Sequence, residues 1–138
     1  MTDALNRGRE ILAAQPFSAL LETELVAYST SGAEVHVPIT ERVKQQNGFV
    51  HGGVISYAAD NALAFAGGAE LGPDVVTSEF KINYVRPALG TRLVARASVI
   101  HAGRNQAVCR CDVFAQDGQG ERLCATALGT ITRIAGAK

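Results

Sequence analysis

No charge of either sign dominates this sequence. Thirteen Lys and Arg residues face thirteen Asp and Glu, so the formal net charge is zero. The basic excess with which a nucleic-acid binder holds phosphates is therefore missing. Long apolar runs are missing too: Gly, Arg or Asp interrupts each stretch before it reaches the roughly 20 residues a bilayer-spanning helix needs. The first residues carry Asp3, Arg7, Arg9 and Glu10, the wrong pattern for a secretory signal. Cysteine is scarce and odd in number, with Cys109, Cys111 and Cys124 only. A Cys-x-Cys pair inside one apparent strand, without a signal, argues against a disulfide framework. The thiols are either small buried hydrophobes or metal ligands, and no His or carboxylate stands at ligand spacing beside them. The expectation is a reduced, cytoplasmic protein that binds neither nucleic acid nor membrane and holds no metal.

Several catalytic signatures are absent as well. There is no GxSxG nucleophile elbow, Walker phosphate loop, GxGxxG dinucleotide turn or HExxH zinc helix. Ser56 follows His51 by five residues but has no motif around it. Cys109 has no electropositive helix end beside it to make a thiolate. Acid–base or carboxylate-nucleophile chemistry remains.

What is present fits one domain over residues 1–138, of which 47% are hydrophobic, enough for a core. Residues 4–14 read as a short amphipathic helix, with a lead-in to Pro16. Residues 34–39 alternate, Val35, Val37 and Ile39 sharing one face, as a strand does. Residues 54–71 are different: VISYAADNALAFAGGAEL is apolar almost all round, and such a helix must be buried. After it, residues 76–85, 92–99, 107–113 and 123–133 read as strands, the first with Val76, Ser78, Phe80, Ile82 and Tyr84 on one face. Short links between them predict an antiparallel meander. Small inward residues (Ala95, Ala97, Ala107, Ala125, Ala127) let such a sheet curl around the helix. The predicted class is α+β: five or six antiparallel strands wrapped around one central helix.

Three features converge near the start of the buried helix. His51-Gly52-Gly53 stands where the chain enters it, so unpaired backbone N–H groups point outward. A helix start favours an anion or polarised carbonyl, and glycine lets a ligand approach the backbone; the plainer reading is an ordinary glycine loop. Asp60 follows nine residues after His51, among Ala58, Ala59, Ala62 and Leu63. A carboxylate there is costly unless paired or used; the plainer reading is a solvated Asp. Gln45, Gln46 and Asn47 upstream supply amides able to orient water or a carbonyl, and Thr77 lies on the next strand.

At these residues the sequence resembles the PaaI-like branch of the hotdog-fold thioesterases. The motif is Gln45-Gln-Asn-Gly48-Phe-Val-His51-Gly52-Gly53-Val, then Ala59-Asp60-Asn-Ala. Thr77, Tyr84-Val-Arg86-Pro87-Ala88 and the closing Ala125-Thr-Ala-Leu-Gly129-Thr130 continue the likeness, which runs from about residue 17 to 134. It implies a hotdog fold and hydrolysis of an acyl-CoA thioester, with coenzyme A as part of the substrate and no cofactor. Asp60 takes the position of the family's general base or nucleophile, and Gly52 that of its carbonyl-polarising N–H. Gln45 stands where an Asn is commoner, one methylene longer, and Thr77 matches a water-orienting hydroxyl. His51, Asn47 and Gly53 belong to the same loop. The resemblance also implies coenzyme A contacts at Tyr84, Arg86 and Pro87, and at His101, Gly103, Arg104 and Asn105. Arg86, His101 and Arg104 would there be phosphate donors, or else ordinary solvated strand ends. It further implies a homodimer, assembled as a dimer of dimers, with Gln45 and His51-Gly52 of one subunit facing Asp60 of the other. Two competing readings are a non-catalytic acyl-CoA-binding module and a hotdog hydratase or dehydratase; the His and acid arrangement expected of the latter is not found.

Overall fold

The computed structural model describes residues 3–134. Two short helices, α1 (Asp3–Ala13) and α2 (Pro16–Leu20), precede strands β1 (Glu24–Ser29) and β2 (Gly32–Pro38). A single 3-10 turn at Glu41–Val43 leads to the long helix α3 (Gly52–Leu71). Strands β3 (Val75–Tyr84), β4 (Arg92–Ala102), β5 (Gln106–Asp117) and β6 (Gly120–Arg133) follow. All six strands form one antiparallel sheet in the order β1-β2-β4-β5-β6-β3. The sheet curls around α3.

The apolar run folds as its composition demands. Ala58, Ala59, Ala62 and Leu63 of α3 are fully buried, as are Val35, Leu93, Ala95, Cys109 and Ala125 on the inner face of the sheet. Burying a side chain the size of Leu63 contributes about 2 kcal/mol. The three thiols are free and buried within this core, and burial pushes the Cys111 thiol up to about 12. Their role is packing.

Two expectations about the strands need correction. Residues 76–133 are not a four-strand meander, because β3 pairs with β6 and β4 pairs with β2. The segment from Tyr84 to Arg92 carries the chain away from the edge to the middle of the sheet, while β4, β5 and β6 do follow as hairpins. Nor do Val76 and Ser78 share a face with Phe80, Ile82 and Tyr84. A bulge between Thr77 and Glu79 inserts one extra residue, reversing the alternation. Val75 and Thr77 turn toward α3, while Val76 is half exposed and Ser78 donates outward to the Thr130 carbonyl. The N-terminal lead-in also contains α2, whose Pro16 occupies the first turn, where a missing N–H costs nothing.

Close approach of helix to sheet depends on glycine. A Cβ on Gly67 would stand 2.6–2.8 Å from three Ile131 side-chain atoms, whereas one on Gly68 would meet nothing nearer than 3.6 Å. Alanine favours helix over glycine by about 1 kcal/mol at either position. Gly67→Ala is therefore expected to lose about 1–3 kcal/mol through overpacking, and Gly68→Ala to be neutral or stabilising. Urea unfolding of the two variants checks this; equal midpoints would contradict the packing described.

Candidate active site

His51 sets the start of α3. Its extended backbone precedes the first turn, and its Nδ1 accepts the Gly53 N–H at 2.8 Å. The Val54 and Ile55 N–H groups donate to the His51 carbonyl. Among the described residues the Gly52 N–H meets no acceptor, so it is the open donor of the helix terminus. His51 itself is an exposed N-cap, which makes it a positioning residue for that donor. Tyr84, at the end of β3, donates its hydroxyl to the Gly52 carbonyl at 2.9 Å and lies 2.5 Å from the Ser56 hydroxyl.

The loop before the helix is self-braced. The Gln45 N–H donates to the Phe49 carbonyl, the Gly48 N–H to the Gln45 carbonyl, and the Val50 N–H to the Ala88 carbonyl. The Gln45 side-chain oxygen accepts the Asn47 N–H, which leaves the Gln45 amide NH2 as a donor. Gln45 is therefore oriented to give hydrogen bonds rather than to receive them.

Asp60 projects from the middle of α3, half-buried, toward the start of β3. The Thr77 hydroxyl donates to Asp60 Oδ1 at 2.6 Å, and among the described residues Oδ2 has no partner. The β3 bulge is what turns Thr77 inward to make this contact. The carboxylate opens on a cleft of about 510 Å³, lined by Phe17, Tyr57, Asn61 and Ala64 among others.

Of the polar cluster beside it, the sequence alone offers Tyr57, equally a pocket-lining or a core residue. The Tyr57 hydroxyl meets Ser18 Oγ at 2.6 Å, Thr23 Oγ1 at 2.8 Å and Asn61 Nδ2 at 3.1 Å, and Ser18 donates to Gln15 Oε1. The signal available was Tyr57 and Asn61, one helical turn apart on a mostly apolar helix and next to Asp60. Gln15, Ser18 and Thr23 carried none, because α2 folding over the helix brings them there.

The candidate residues fall into three groups. Gln45, Asn47, His51, Gly52, Gly53, Tyr84, Arg86 and Pro87 gather at the N-terminal end of α3. Asp60 and Thr77 lie further along, at about 12 Å from Gly52 for eight residues of helix rise. His101, Gly103, Arg104 and Asn105 occupy the β4–β5 turn at the opposite end of the sheet, where the Arg133 N–H donates to the Asn105 carbonyl. From the level of Tyr84, opposite Ala125, to that turn is roughly 24 Å of strand. Arg86 and Arg104 are exposed and, among the described residues, have no carboxylate partner. No group of three His, Cys, Asp or Glu among the described residues could hold a metal ion, and no described helix is long and apolar enough to cross a membrane.

Comparison with known proteins bears on this arrangement. A thioesterase family protein of Silicibacter pomeroyi superposes with a TM-score of 0.87 at 31% identity, over 94% of this chain and 96% of that one. A mutant of the phenylacetic acid degradation protein PaaI of Thermus thermophilus superposes with a TM-score of 0.76 at 29% identity, over 87% of this chain and 100% of that one. The 1,4-dihydroxy-2-naphthoyl-CoA hydrolase of Listeria monocytogenes is 29% identical over 87 residues, 62% of this chain and 71% of the relative. The family model described as "Thioesterase superfamily" matches residues 47–122, from the amide loop through α3 and the following strands into β6. With more than half its length under that match, and with a curved antiparallel sheet around one helix, the chain belongs to the hotdog-fold thioesterase superfamily.

Proposed function

We propose that the protein hydrolyses acyl-CoA thioesters to the free acid and coenzyme A. The observation that carries this is the Asp60 carboxylate. It is held at one oxygen by Thr77 and open at the other to a cleft, on a helix whose residues are mostly apolar. As general base, Asp60 takes a proton from water, whose oxygen attacks the thioester carbonyl; the C–S bond breaks and the thiolate recovers the proton. As nucleophile, the same carboxylate would form an anhydride that water then opens. In either case negative charge develops on the carbonyl oxygen, where the open Gly52 N–H is the donor. One preorganised donor of this kind is typically worth about 3–4 kcal/mol. Coenzyme A enters only with the substrate, and neither metal nor cofactor takes part. A reducing cytoplasm is the compartment that suits three buried free thiols.

About 12 Å separates the Gly52 N–H from Asp60 within one chain, too far for both to serve one carbonyl. A second subunit removes the difficulty. β3 is an edge strand, and an unpaired edge invites a second chain. Antiparallel pairing of β3 with its twin about a twofold axis would bring the Tyr84 end of one chain beside the partner's Thr77 and Asp60. The same pairing would bring Arg86 toward the partner's β4–β5 turn, uniting the two groups of candidate coenzyme A contacts. A homodimer, doubled into a dimer of dimers, is therefore part of the proposal.

Three outcomes are expected. Asp60→Asn should lower kcat at least about 10²-fold with an unchanged circular dichroism spectrum; more than half of wild-type turnover would remove Asp60 from the chemistry. Gln45→Ala should lower kcat more than it raises KM, because its free NH2 acts on developing charge; a change in KM alone would make it a binding group.

The third concerns mixed dimers. One subunit carries Asp60→Asn. The other carries Gln45→Ala with Gly52→Pro, a change that deletes the N–H at a first-turn position where proline is tolerated. With different tags on the two, the doubly purified heterodimer should regain about half of wild-type activity, one of its two sites being built from intact halves. A stable heterodimer as inactive as its parents would put the whole site in one chain.

A further inference from the structure

Two glycines in succession open α3. Glycine has the widest backbone freedom of any residue, and the first N–H groups of a helix have no partner within it. A turn so composed does not hold its own geometry. Yet an N–H that is to meet developing charge has to be aimed beforehand. His51 supplies part of the restraint, its Nδ1 accepting the Gly53 N–H. The rest comes from outside the helix.

It comes from β3. Tyr84 ends that strand opposite Ala125 of β6, and the Val85 N–H behind it donates to the carbonyl of buried Cys124 at 2.9 Å. From this anchored end the Tyr84 ring reaches the first turn of α3. A Cβ on Gly52 would stand 3.5 Å from the Tyr84 hydroxyl oxygen and from the ring carbon that bears it. The hydroxyl has a single proton, and its two contacts decide where that proton goes. The Gly52 carbonyl can only accept, so Tyr84 donates to it, at 2.9 Å. The Ser56 hydroxyl, 2.5 Å away, then donates to Tyr84. Ser56 stands four residues after Gly52, so in an α-helix its N–H is given to the same carbonyl. Ser56, Tyr84 and Gly52 thus form a chain of hydrogen bonds with one direction, whose members polarise one another.

The peptide that joins Gly52 to Gly53 is held at both ends, its oxygen by Tyr84 and its N–H by His51. The peptide before it is held through the His51 carbonyl, which accepts the Val54 and Ile55 N–H groups. Between two fixed planes the Gly52 N–H has one direction. We infer that Tyr84, braced in turn by Ser56, is a positioning residue for the Gly52 N–H. This role differs from the coenzyme A contact that the family resemblance implies for Tyr84. It rests on the thioesterase reading, which gives that N–H a carbonyl to polarise.

Tyr84→Phe keeps the ring and deletes the clamp, and a residue 52% exposed loses little packing by the change. Removing an oxyanion donor outright costs about 10²–10³ in kcat. Releasing the one at Gly52 should cost about tenfold in kcat, with KM within about twofold, on whichever of acetyl-, hexanoyl- and benzoyl-CoA the wild type hydrolyses fastest. Ser56→Ala should follow in the same direction by about threefold, and Ser56→Thr, which keeps a hydroxyl, should stay within about twofold of wild type. The decisive readout is a double-mutant cycle. Gly52→Pro has no N–H left to aim, so adding Tyr84→Phe to it should cost less than about twofold more. An undiminished tenfold loss in that background, or a loss confined to KM, overturns the positioning role. Amide hydrogen exchange separates this from failure of the thioesterase reading. Tyr84→Phe should speed exchange of the Gly53 and Ser56 N–H groups at least about threefold; unchanged exchange there overturns the clamp. If no thioester is hydrolysed but exchange accelerates, the clamp stands and the activity falls. Hydrolysis by Tyr84→Phe at the wild-type rate leaves the activity standing and removes the role.

Discussion

Everything in this molecule follows from burying a helix that is apolar around most of its circumference. α3 runs for 20 residues with ten of them buried, on faces that point in several directions. One flat sheet could cover only one of those faces, so the sheet must curl. Curling needs small residues where helix and strand approach, and the alanines of β4, β5 and β6 together with Gly67 and Gly129 provide them. The same requirement explains the long strands: β5 and β6 have 12 and 14 residues, enough to pass the length of the helix and bend around it.

That rigid helix also acts as a ruler for the chemistry. Its first turn carries the open Gly52 N–H, its middle carries Asp60, and eight residues of α-helix fix the interval between them. No side-chain rotation closes about 12 Å. A carbonyl cannot be polarised by one and attacked with help from the other unless a second copy completes the geometry. The β3 edge has the right position for that, since Tyr84 and Thr77 lie toward its two ends and a twofold axis through its centre would exchange them. The bulge beside Thr77 has a cost in regular pairing, and a gain in direction: it aims one hydroxyl at Asp60 while Phe80, Ile82 and Tyr84 still face the helix.

Much of this was legible in the sequence, and what was not has identifiable causes. The helix announced itself because an apolar run with Ala, Leu and Gly, too short and interrupted to cross a bilayer, must be covered by protein. β4, β5 and the inner face of β6 were equally plain, since alternation survives where strands lie in the middle of a sheet. The motif around His51 and Asp60 was visible because a charge in an apolar helix is expensive. Bulges are another matter. Val76-Thr-Ser78-Glu-Phe80 alternates acceptably in either register, and only the pairing with β6 shows that Ser78 is the extra residue. The partner of β3 was hidden for a related reason: the link from Tyr84 to Arg92 is long enough either to turn back on itself or to cross the sheet. α2 escaped notice because its five residues leave too little periodicity to read.

The polar groups near Asp60 were the least legible part of the site. Gln15 lies before α2, Tyr28 on β1 and Asn61 on α3, so no spacing links them. They come together because α1 packs on β1, beside the face of α3 that the strands leave open. The loop before α3 and the Asp60 carboxylate are therefore fixed by the core of the fold, which tolerates little change. A cavity on the other side is closed by an N-terminal segment, of which Leu12 and Leu25 are buried in the core. Changes in α1, α2 and β1 could alter the size and polarity of that cavity without disturbing the interval between Gly52 and Asp60. A fold built this way holds that interval constant while the segment that covers the helix is free to vary.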